Sequence, residues 1–262
     1  MPYMKILLTN DDGYGAEGLE VLAKRLSIEN EVWIVAPHKN RSGVSHCITM
    51  QKPLYLEEHG EKRYSLEGFP ADCVITSLKG DFIGTRPDIV LSGINNDANL
   101  GTDVLYSGTC AAARQASLYG VPGIALSLCG RDSHNSGENK FEALADFAAK
   151  NLVELSKLCG EKQNETCGGY KYFVSVNALS LDQYKGVKFT ELSNREYRDS
   201  VEIHTAADEK KYSVFSGGEI ISHGDENNDA SAVKDGYVSI SVVNTQPVCN
   251  NVTNDIAGRF FI

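Results

Sequence analysis

The fold is decided by residues 5–36, KILLTNDDGYGAEGLEVLAKRLSIENEVWIVA, in which two apolar runs flank one helical pattern. The runs at 5–9 and 31–36 are continuously apolar, as strands are when both faces of their sheet are covered. Between them, over residues 17–26, apolar residues recur at the i, i+3, i+4, i+7 spacing of an amphipathic helix. This stretch therefore predicts a parallel βαβ unit.

The same alternation of strand and helix patterns continues along the chain. Three further apolar runs are separated by two helical patterns, and an earlier segment alternates roughly in polarity, as a hairpin or extended arm does. Strands that alternate with helices predict a Rossmann-like, doubly wound α/β domain with a mostly parallel sheet. The strand runs are 88–92, 123–128 and 173–176, the helical patterns 108–118 and 141–158, and the alternating segment 47–66.

The character of the sequence changes after residue 185. Short β-like runs at 186–192, 212–215 and 236–243 are separated by polar, acidic loops. We therefore divide the chain into a Rossmann-like domain, 1–185, and a small β-rich extension, 186–262. Exposed strand edges are often covered by a partner chain, which makes the extension a candidate for oligomerisation. The alternative is a hairpin packed on its own domain.

Composition excludes several classes of function. The chain has 262 residues, and 25 Lys and Arg against 35 Asp and Glu give a net charge of −10. This charge should repel nucleic-acid polymers and anionic membranes. No apolar stretch approaches the roughly 18 to 20 residues that span a bilayer, and no export signal is evident. The seven cysteines form no CxxC pair, which favours buried thiols in a reducing cytoplasm.

Four polar clusters follow predicted strands or open a predicted helix. In a doubly wound sheet, ligands bind beyond the carboxyl ends of the strands, so these clusters could meet at one rim. They are NDDG at 10–13, HKNRSG at 38–43, SGINND at 92–97 and SGT at 107–109.

The adjacent carboxylates of Asp11 and Asp12 point to a cation site. Two neighbouring carboxylates repel one another, so keeping both ionised is costly without a cation. A hydroxyl from Ser42 and an amide oxygen from Asn95 would complete the oxygen donors that Mg²⁺, Mn²⁺ or Ca²⁺ prefers. The alternative is that the aspartates only cap and turn the chain into the following helix.

The Ser107-Gly108-Thr109 segment opens an alanine-rich helix and is a candidate anion site. Free backbone N–H groups and the positive end of the helix dipole favour a bound phosphate, and small residues allow it to approach. Simple N-capping by Ser or Thr is the alternative. Together with the cation cluster, this turn indicates metal-assisted chemistry at a phosphate.

Seven blocks, which occur in family order along nearly the whole chain, closely resemble the SurE family of survival-protein nucleotidases. Each block alone is weak, and the combination is specific. They are ILLTNDDG at 6–13, VAPHKNRSG at 35–43, GFPADC at 68–73, RPDIVLSGIN at 86–95, NLG at 99–101, YSGT at 106–109 and DGYVS at 235–239.

The resemblance implies a phosphatase that releases phosphate from nucleoside 5′- and 3′-monophosphates with one divalent cation, Mg²⁺ or Mn²⁺. It also implies a homodimer or homotetramer, built partly by an exchanged C-terminal element. By motif position, the metal ligands would be Asp11, Asp12, Ser42 and Asn95. The residues that contact phosphate would be Asn99, Ser107, Gly108 and Thr109.

One loop departs from the family pattern. The family usually has a small residue and a glycine after Gly-Ile-Asn, whereas Asn96 and Asp97 follow here, and Ala98 replaces a common proline. An additional carboxylate at this rim would either add a metal contact or repel the phosphate.

The expected mechanism is attack of a metal-bound water on phosphorus, with the helix N-terminus holding the transferring oxygens. Asp11 and Asp12 are the predicted catalytic residues, because one of their carboxylates could orient or deprotonate the water. A covalent aspartyl-phosphate is left open.

The competing hypothesis is a receiver-like Mg²⁺-binding module, or a phosphate-binding module, without turnover. Receivers also place paired acidic residues after their first strand, but they need a phosphoacceptor aspartate and a lysine after later strands. Asn95 occupies the nearest comparable position, and no suitable lysine follows Ser127 or Val176. The chain is also longer than such a module needs.

Overall fold

The structure is a computed structural model that describes residues 3–130, 139–162 and 169–248. Its strands, numbered along the chain, are β1 (Lys5–Thr9), β2 (Glu31–Pro37), β3 (Leu56–Gly60), β4 (Arg63–Leu66), β5 (Ile89–Asn95), β6 (Gly123–Cys129), β7 (Tyr172–Leu179), β8 (Val187–Phe189), β9 (Asn194–Tyr197), β10 (Ser200–Thr205), β11 (Lys211–Ser216), β12 (Ile220–His223) and β13 (Val238–Asn244). Its helices are α1 (Glu17–Leu26), α2 (Pro70–Lys79), α3 (Gly108–Leu118), α4 (Glu142–Lys157) and α5 (Asp229–Lys234), with a 3₁₀ helix at Gly101–Leu105.

Nine strands form one sheet in the order β3-β4-β2-β1-β5-β6-β7-β13-β8. The six strands from β4 to β7 in this order are parallel. Strand β3 runs antiparallel to β4 and β13 runs antiparallel to β7, whereas β8 at the edge runs parallel to β13. The predicted α/β class with a mostly parallel sheet is confirmed. Residues 47–66 end in the β3–β4 hairpin, which agrees with the predicted hairpin or arm.

Helices cover both faces of the sheet. Ile6 and Leu8 of β1 pack in a core with α1 and α4, whereas Leu7 between them packs in a second core with α2 and α3. Successive side chains of a strand point to opposite faces, so a continuously apolar strand requires two cores. This burial explains why the strand runs lack polar alternation.

Two features of the sheet lie beyond the sequence patterns. Helix α2 begins inside the block 68–73, where Pro70 occupies the first helical turn and the Asp72 carboxylate accepts a hydrogen bond from the Phe69 N–H at 2.9 Å. Strand β13 lies inside the sheet, between β7 and β8. The sheet therefore continues past residue 185, although the sequence changes character there.

Residues 194–223 form an arm outside the main sheet. Strand β9 pairs with β12, and β10 pairs with β11, both antiparallel. Every residue of β10 and β11 is exposed. Within the described residues, no helix is long and apolar enough to cross a membrane.

Candidate active site

A cavity of about 170 Å³ lies at the rim where the strands of the parallel sheet end. In the sheet, Thr9 of β1 lies beside Ser92 of β5, so the residues that follow these strands reach the same edge. Six of the eight residues predicted for the site line this cavity. They are Asp11, Asp12, Ser42, Asn95, Asn99 and Ser107.

Asp11 is the most deeply held carboxylate of the site. It is only 3% exposed, and it accepts hydrogen bonds from the Thr109 hydroxyl at 2.6 Å and the Thr109 N–H at 3.1 Å. Burial raises the pKa of Asp11 in spite of these bonds. A Cβ added to Gly108 would lie 2.8 Å from the Asp11 Cβ, so a glycine is needed beside this carboxylate.

Asp12 is half-buried beside Asp11, and its pKa is also raised. Burial first, and then the charge of Asp11, raises the pKa of Asp12 to about 6. The charge of Asp97 acts in the same direction, whereas the Asn96 N–H, 3.2 Å from Asp12 Oδ2, opposes it. An ionised pair in this cavity is therefore costly unless a cation lies beside it.

The donors around this pair fit a hard divalent cation. The Asn95 side-chain amide is oriented by its Nδ2, which donates to the Asp97 carbonyl at 2.6 Å. Ser42 lies on the exposed loop after β2, and this loop is tied to the site because the Arg41 N–H donates to the Asp11 carbonyl at 2.6 Å. In the described part of the chain, no three His, Cys, Asp or Glu side chains form a metal cluster, so neutral oxygens would have to complete the set.

The residues predicted to contact phosphate lie in three different environments. Asn99 is held by side chains of β6 and β7, since its Nδ2 donates to Ser127 Oγ and its N–H to Asn177 Oδ1, both at 2.8 Å. Ser107 caps α3, because its Oγ accepts a hydrogen bond from the Cys110 N–H at 3.0 Å. Gly108 and Thr109 pack on or bond to Asp11 and do not line the cavity.

Comparison with known proteins decides the family. The family model described as survival protein SurE matches residues 6–199, which is more than half of the chain. The chain belongs to the SurE family. A Roseobacter denitrificans protein named 5′-nucleotidase SurE is 36% identical over 262 residues, covering 97% of this chain and 99% of that protein. A Treponema pallidum protein with the same name is 44% identical over 184 residues, covering 69% and 93%.

The fold agrees with a solved structure from the same family. The crystal structure of the SurE protein from Aquifex aeolicus matches with a TM-score of 0.75 and 31% identity, covering 93% of this chain and 94% of that one. The resemblance read from the seven sequence blocks is therefore confirmed.

Sequence reasoning missed a group that joins the arm to the cavity of this SurE family member. Asp103 and Tyr106 line the cavity wall. Arg195 of the arm lies 2.9 Å from the Asp103 carboxylate, and the Tyr197 hydroxyl donates to the same carboxylate. Tyr106 is part of the YSGT block. Nothing in the sequence places Arg195 or Tyr197 beside Asp103, because these contacts join residues more than ninety positions apart.

A buried carboxylate fastens this connection. Asp229, which is fully buried at the start of α5, accepts hydrogen bonds from the Gly101 N–H at 2.6 Å and the Ser193 N–H at 2.9 Å. Gly101 begins the 3₁₀ helix that carries Asp103, and Ser193 precedes the arm. Asp229 thus joins the base of the arm to the cavity wall in this protein.

Proposed function

We propose that this SurE family member is a divalent-metal-dependent phosphatase that hydrolyses nucleoside 5′- and 3′-monophosphates to nucleoside and phosphate. The relatives named above are 5′-nucleotidases, which supports the substrate class. The observation that carries the proposal is the pair Asp11 and Asp12, which shares one cavity with Ser107, the residue that caps α3. Such a cavity offers a place for a cation and a place for a phosphate.

Asp11, Asp12, Ser42 and Asn95 would hold one divalent cation, Mg²⁺ or Mn²⁺. The set is oxygen-only, as these cations prefer, and it includes two adjacent carboxylates that need a counter-charge. When bound, the cation would supply Lewis-acid polarisation of a phosphoryl oxygen and lower the pKa of a water.

The chain's own residues would bind and orient the phosphate. We assign this role to Asn99 and to the Ser107-Gly108-Thr109 turn at the N-terminus of α3, where backbone N–H groups favour the charge that develops on the phosphoryl oxygens. Thr109 has a second duty, because its hydroxyl and N–H fix both oxygens of Asp11. The turn therefore links phosphate binding to the position of a carboxylate.

Asp11 and Asp12 are the proposed catalytic residues. Asp12 Oδ2 accepts the Asn96 N–H, and Asp12 Oδ1 accepts no hydrogen bond from the described residues. We assign to Asp12 Oδ1 the orientation of the attacking water and the acceptance of its proton, while Asp11, whose carboxylate is fixed by Thr109, would hold the cation. The bond between phosphorus and the nucleoside oxygen would break on the opposite side, and that oxygen would take a proton from solvent while Asp12 returns its own proton to solvent.

Phosphate release tests the proposal directly. Purified protein incubated with Mn²⁺ and either 5′-AMP or 3′-AMP should liberate inorganic phosphate from both. Release from 5′-AMP alone would remove the 3′ activity. No release from either would favour the alternative, a receiver-like or phosphate-binding module without turnover.

The net negative charge of the chain and the exposed apolar side chains of the arm indicate which partners the protein binds. We propose a small-molecule nucleotide substrate, no binding of nucleic-acid polymers, no membrane association, and a homodimer or homotetramer that uses residues 186–262. The exposed apolar side chains of Val201, Ile203 and Phe215 in β10 and β11 support the assembly. Retention of the protein on anionic vesicles or on duplex DNA at physiological salt would contradict the two exclusions.

We also propose a cytoplasmic location. Cys47, Cys73, Cys110 and Cys159 form no disulfide in the structure, and burial raises the pKa of Cys110 and Cys159 to about 11, which keeps their thiols protonated. Such cysteines suit a reducing compartment. Recovery of the nucleotidase from the secreted fraction of its cells would contradict this location.

A further inference from the structure

Tyr106 is an exposed aromatic ring on the wall of the cavity. The residue is 54% exposed, although it lines the cavity together with Asp11 and Asp12. Its backbone is fixed on both sides, because its N–H donates to the Asp103 carbonyl at 2.9 Å and its carbonyl accepts the Ser45 N–H at 2.8 Å. Solvation of the polar hydroxyl alone does not explain such exposure of the ring, because packing onto the neighbouring surface would bury apolar area.

The arm braces this ring from one side. The rings of Tyr106 and Tyr197 lie 6.1 Å apart between centroids at 84°, which is an edge-to-face arrangement. Tyr197 is itself fixed, since its hydroxyl donates to Asp103, which also pairs with Arg195. Tyr106 thus combines a fixed backbone, a braced ring and an open remaining surface.

The surroundings select what could cover that surface. Four carboxylates line the same cavity, from Asp11, Asp12, Asp97 and Asp103, so a second anionic group, in addition to the phosphate beside the cation, would be repelled. A neutral, planar, aromatic group would instead stack on the ring without adding charge. In a nucleoside monophosphate, that group is the base, which is joined to the phosphate by one ribose.

We propose that Tyr106 is the stacking platform for the base of the nucleotide and that Tyr197 positions it. This rests on the proposed nucleotidase function, because it places the phosphate at Ser107, the next residue along the chain. Stacking accepts any base, since every base has an aromatic face. The site would therefore bind purine and pyrimidine nucleotides and prefer those with the larger stacking surface.

A comparison of two substrates tests the platform. The ratio of kcat/KM for 5′-AMP to kcat/KM for ribose 5-phosphate, which lacks a base, is measured for the wild type, Tyr106→Ala and Tyr106→Phe. We expect Tyr106→Ala to lower this ratio by about 5- to 150-fold, chiefly through the KM for 5′-AMP, and Tyr106→Phe to restore most of it. Tyr212→Ala is the matched control, because Tyr212 is 52% exposed on β11 in the arm.

An equal loss on both substrates would overturn the platform, since Tyr106 would then act on the phosphate. An unchanged ratio would overturn it as well. Tyr106→Leu serves as a second variant, which keeps apolar bulk without a flat ring, and it should lower the ratio as Tyr106→Ala does.

Binding of adenosine separates failure of the platform from failure of the proposed function. Adenosine carries the base without a phosphate, and its affinity is measured by equilibrium dialysis, without any turnover. We expect Tyr106→Ala to weaken it at least about fivefold. Equal affinity in the wild type and the variant would overturn the platform, whereas absence of phosphate release from 5′-AMP together with a Tyr106-dependent affinity would overturn only the nucleotidase.

Discussion

The cavity at the sheet rim and the arm at residues 194–223 differ in the burial of their side chains: polar side chains are buried at the rim, and apolar side chains are exposed in the arm. At the rim, polar side chains such as Asp11 and Asn99 are buried and held by hydrogen bonds. In the arm, apolar side chains such as Val201 and Phe215 are 58% and 65% exposed. Buried polar groups that are held in place suit chemistry, and exposed apolar groups suit contact with another surface. Substitutions at the rim should therefore affect catalysis, and matched substitutions in the arm should not.

The largest effect is expected from Asp11→Asn. The variant keeps the size of the side chain but removes a charge that would hold the cation. A bound cation contributes several kcal/mol of transition-state stabilisation. We expect kcat/KM for 5′-AMP to fall by at least about a thousandfold. Glu202→Gln in the arm removes one charge from an exposed strand and should leave kcat/KM unchanged. Equal effects of the two substitutions would remove the distinction between the regions.

Gly108→Ala should have the next largest effect. Alanine favours a helix over glycine by roughly 1 kcal/mol, yet its Cβ would lie 2.8 Å from the Asp11 Cβ and 3.1 Å from Pro70 Cγ. The carboxylate must move, so we expect about a hundredfold loss of kcat, because small displacements of a catalytic group are costly. Gly217→Ala in the arm meets nothing within 4 Å and is the matched control. Wild-type kcat in Gly108→Ala would contradict the assigned place of Asp11.

Thr109→Ala should have a smaller effect than Gly108→Ala, because it removes one of the two hydrogen bonds to the Asp11 carboxylate and keeps the one from the backbone N–H. Loss of a group that orients a metal ligand typically costs 10- to 100-fold, and we expect about tenfold in Mn²⁺ affinity, measured by titration calorimetry. Thr205→Ala, on exposed β10, is the control. A loss of phosphate affinity with unchanged Mn²⁺ affinity would place Thr109 at the phosphate alone.

The smallest effect on catalysis is expected from the arm itself. Val201→Asp puts a charge opposite Phe215 on the exposed hairpin, and we expect it to lower the mass in light scattering toward the monomer while kcat changes by less than about twofold. Truncation after Gly186 is a poorer test, because it would remove β13 from the sheet, where Val238 and Ile240 are buried. An unchanged mass would show that assembly uses another surface.

Local patterns in the sequence predict the parallel core of this fold well. The apolar runs of β1 and β2 and the helical period of α1 are each contained in a short window, and the structure has these elements where the patterns place them. The position of β13 depends on pairing with β7 more than sixty residues earlier, which no local pattern encodes. The buried face of helix α2 includes the polar residues Asp72 and Ser77, so it does not form a purely apolar stripe in the sequence.

The candidate site shows the same division. Asp11, Asp12 and Asn95 were predicted to meet because they follow neighbouring parallel strands, and they line one cavity. The bonds from Thr109 to Asp11, and the contacts of Arg195 and Tyr197 with Asp103, join residues that are 92 to 98 positions apart. Motif position suggests which residues gather at the rim, whereas the direction of each hydrogen bond depends on the folded chain.

Release of phosphate from 5′-AMP in excess EDTA, followed by addition of Mn²⁺ beyond the chelator, tests the central claim most directly. The carboxylate pair is proposed to work only with a cation beside it, so chelation should abolish release and Mn²⁺ should restore it. A rate that is unchanged by EDTA would contradict a metal-dependent phosphatase at this rim.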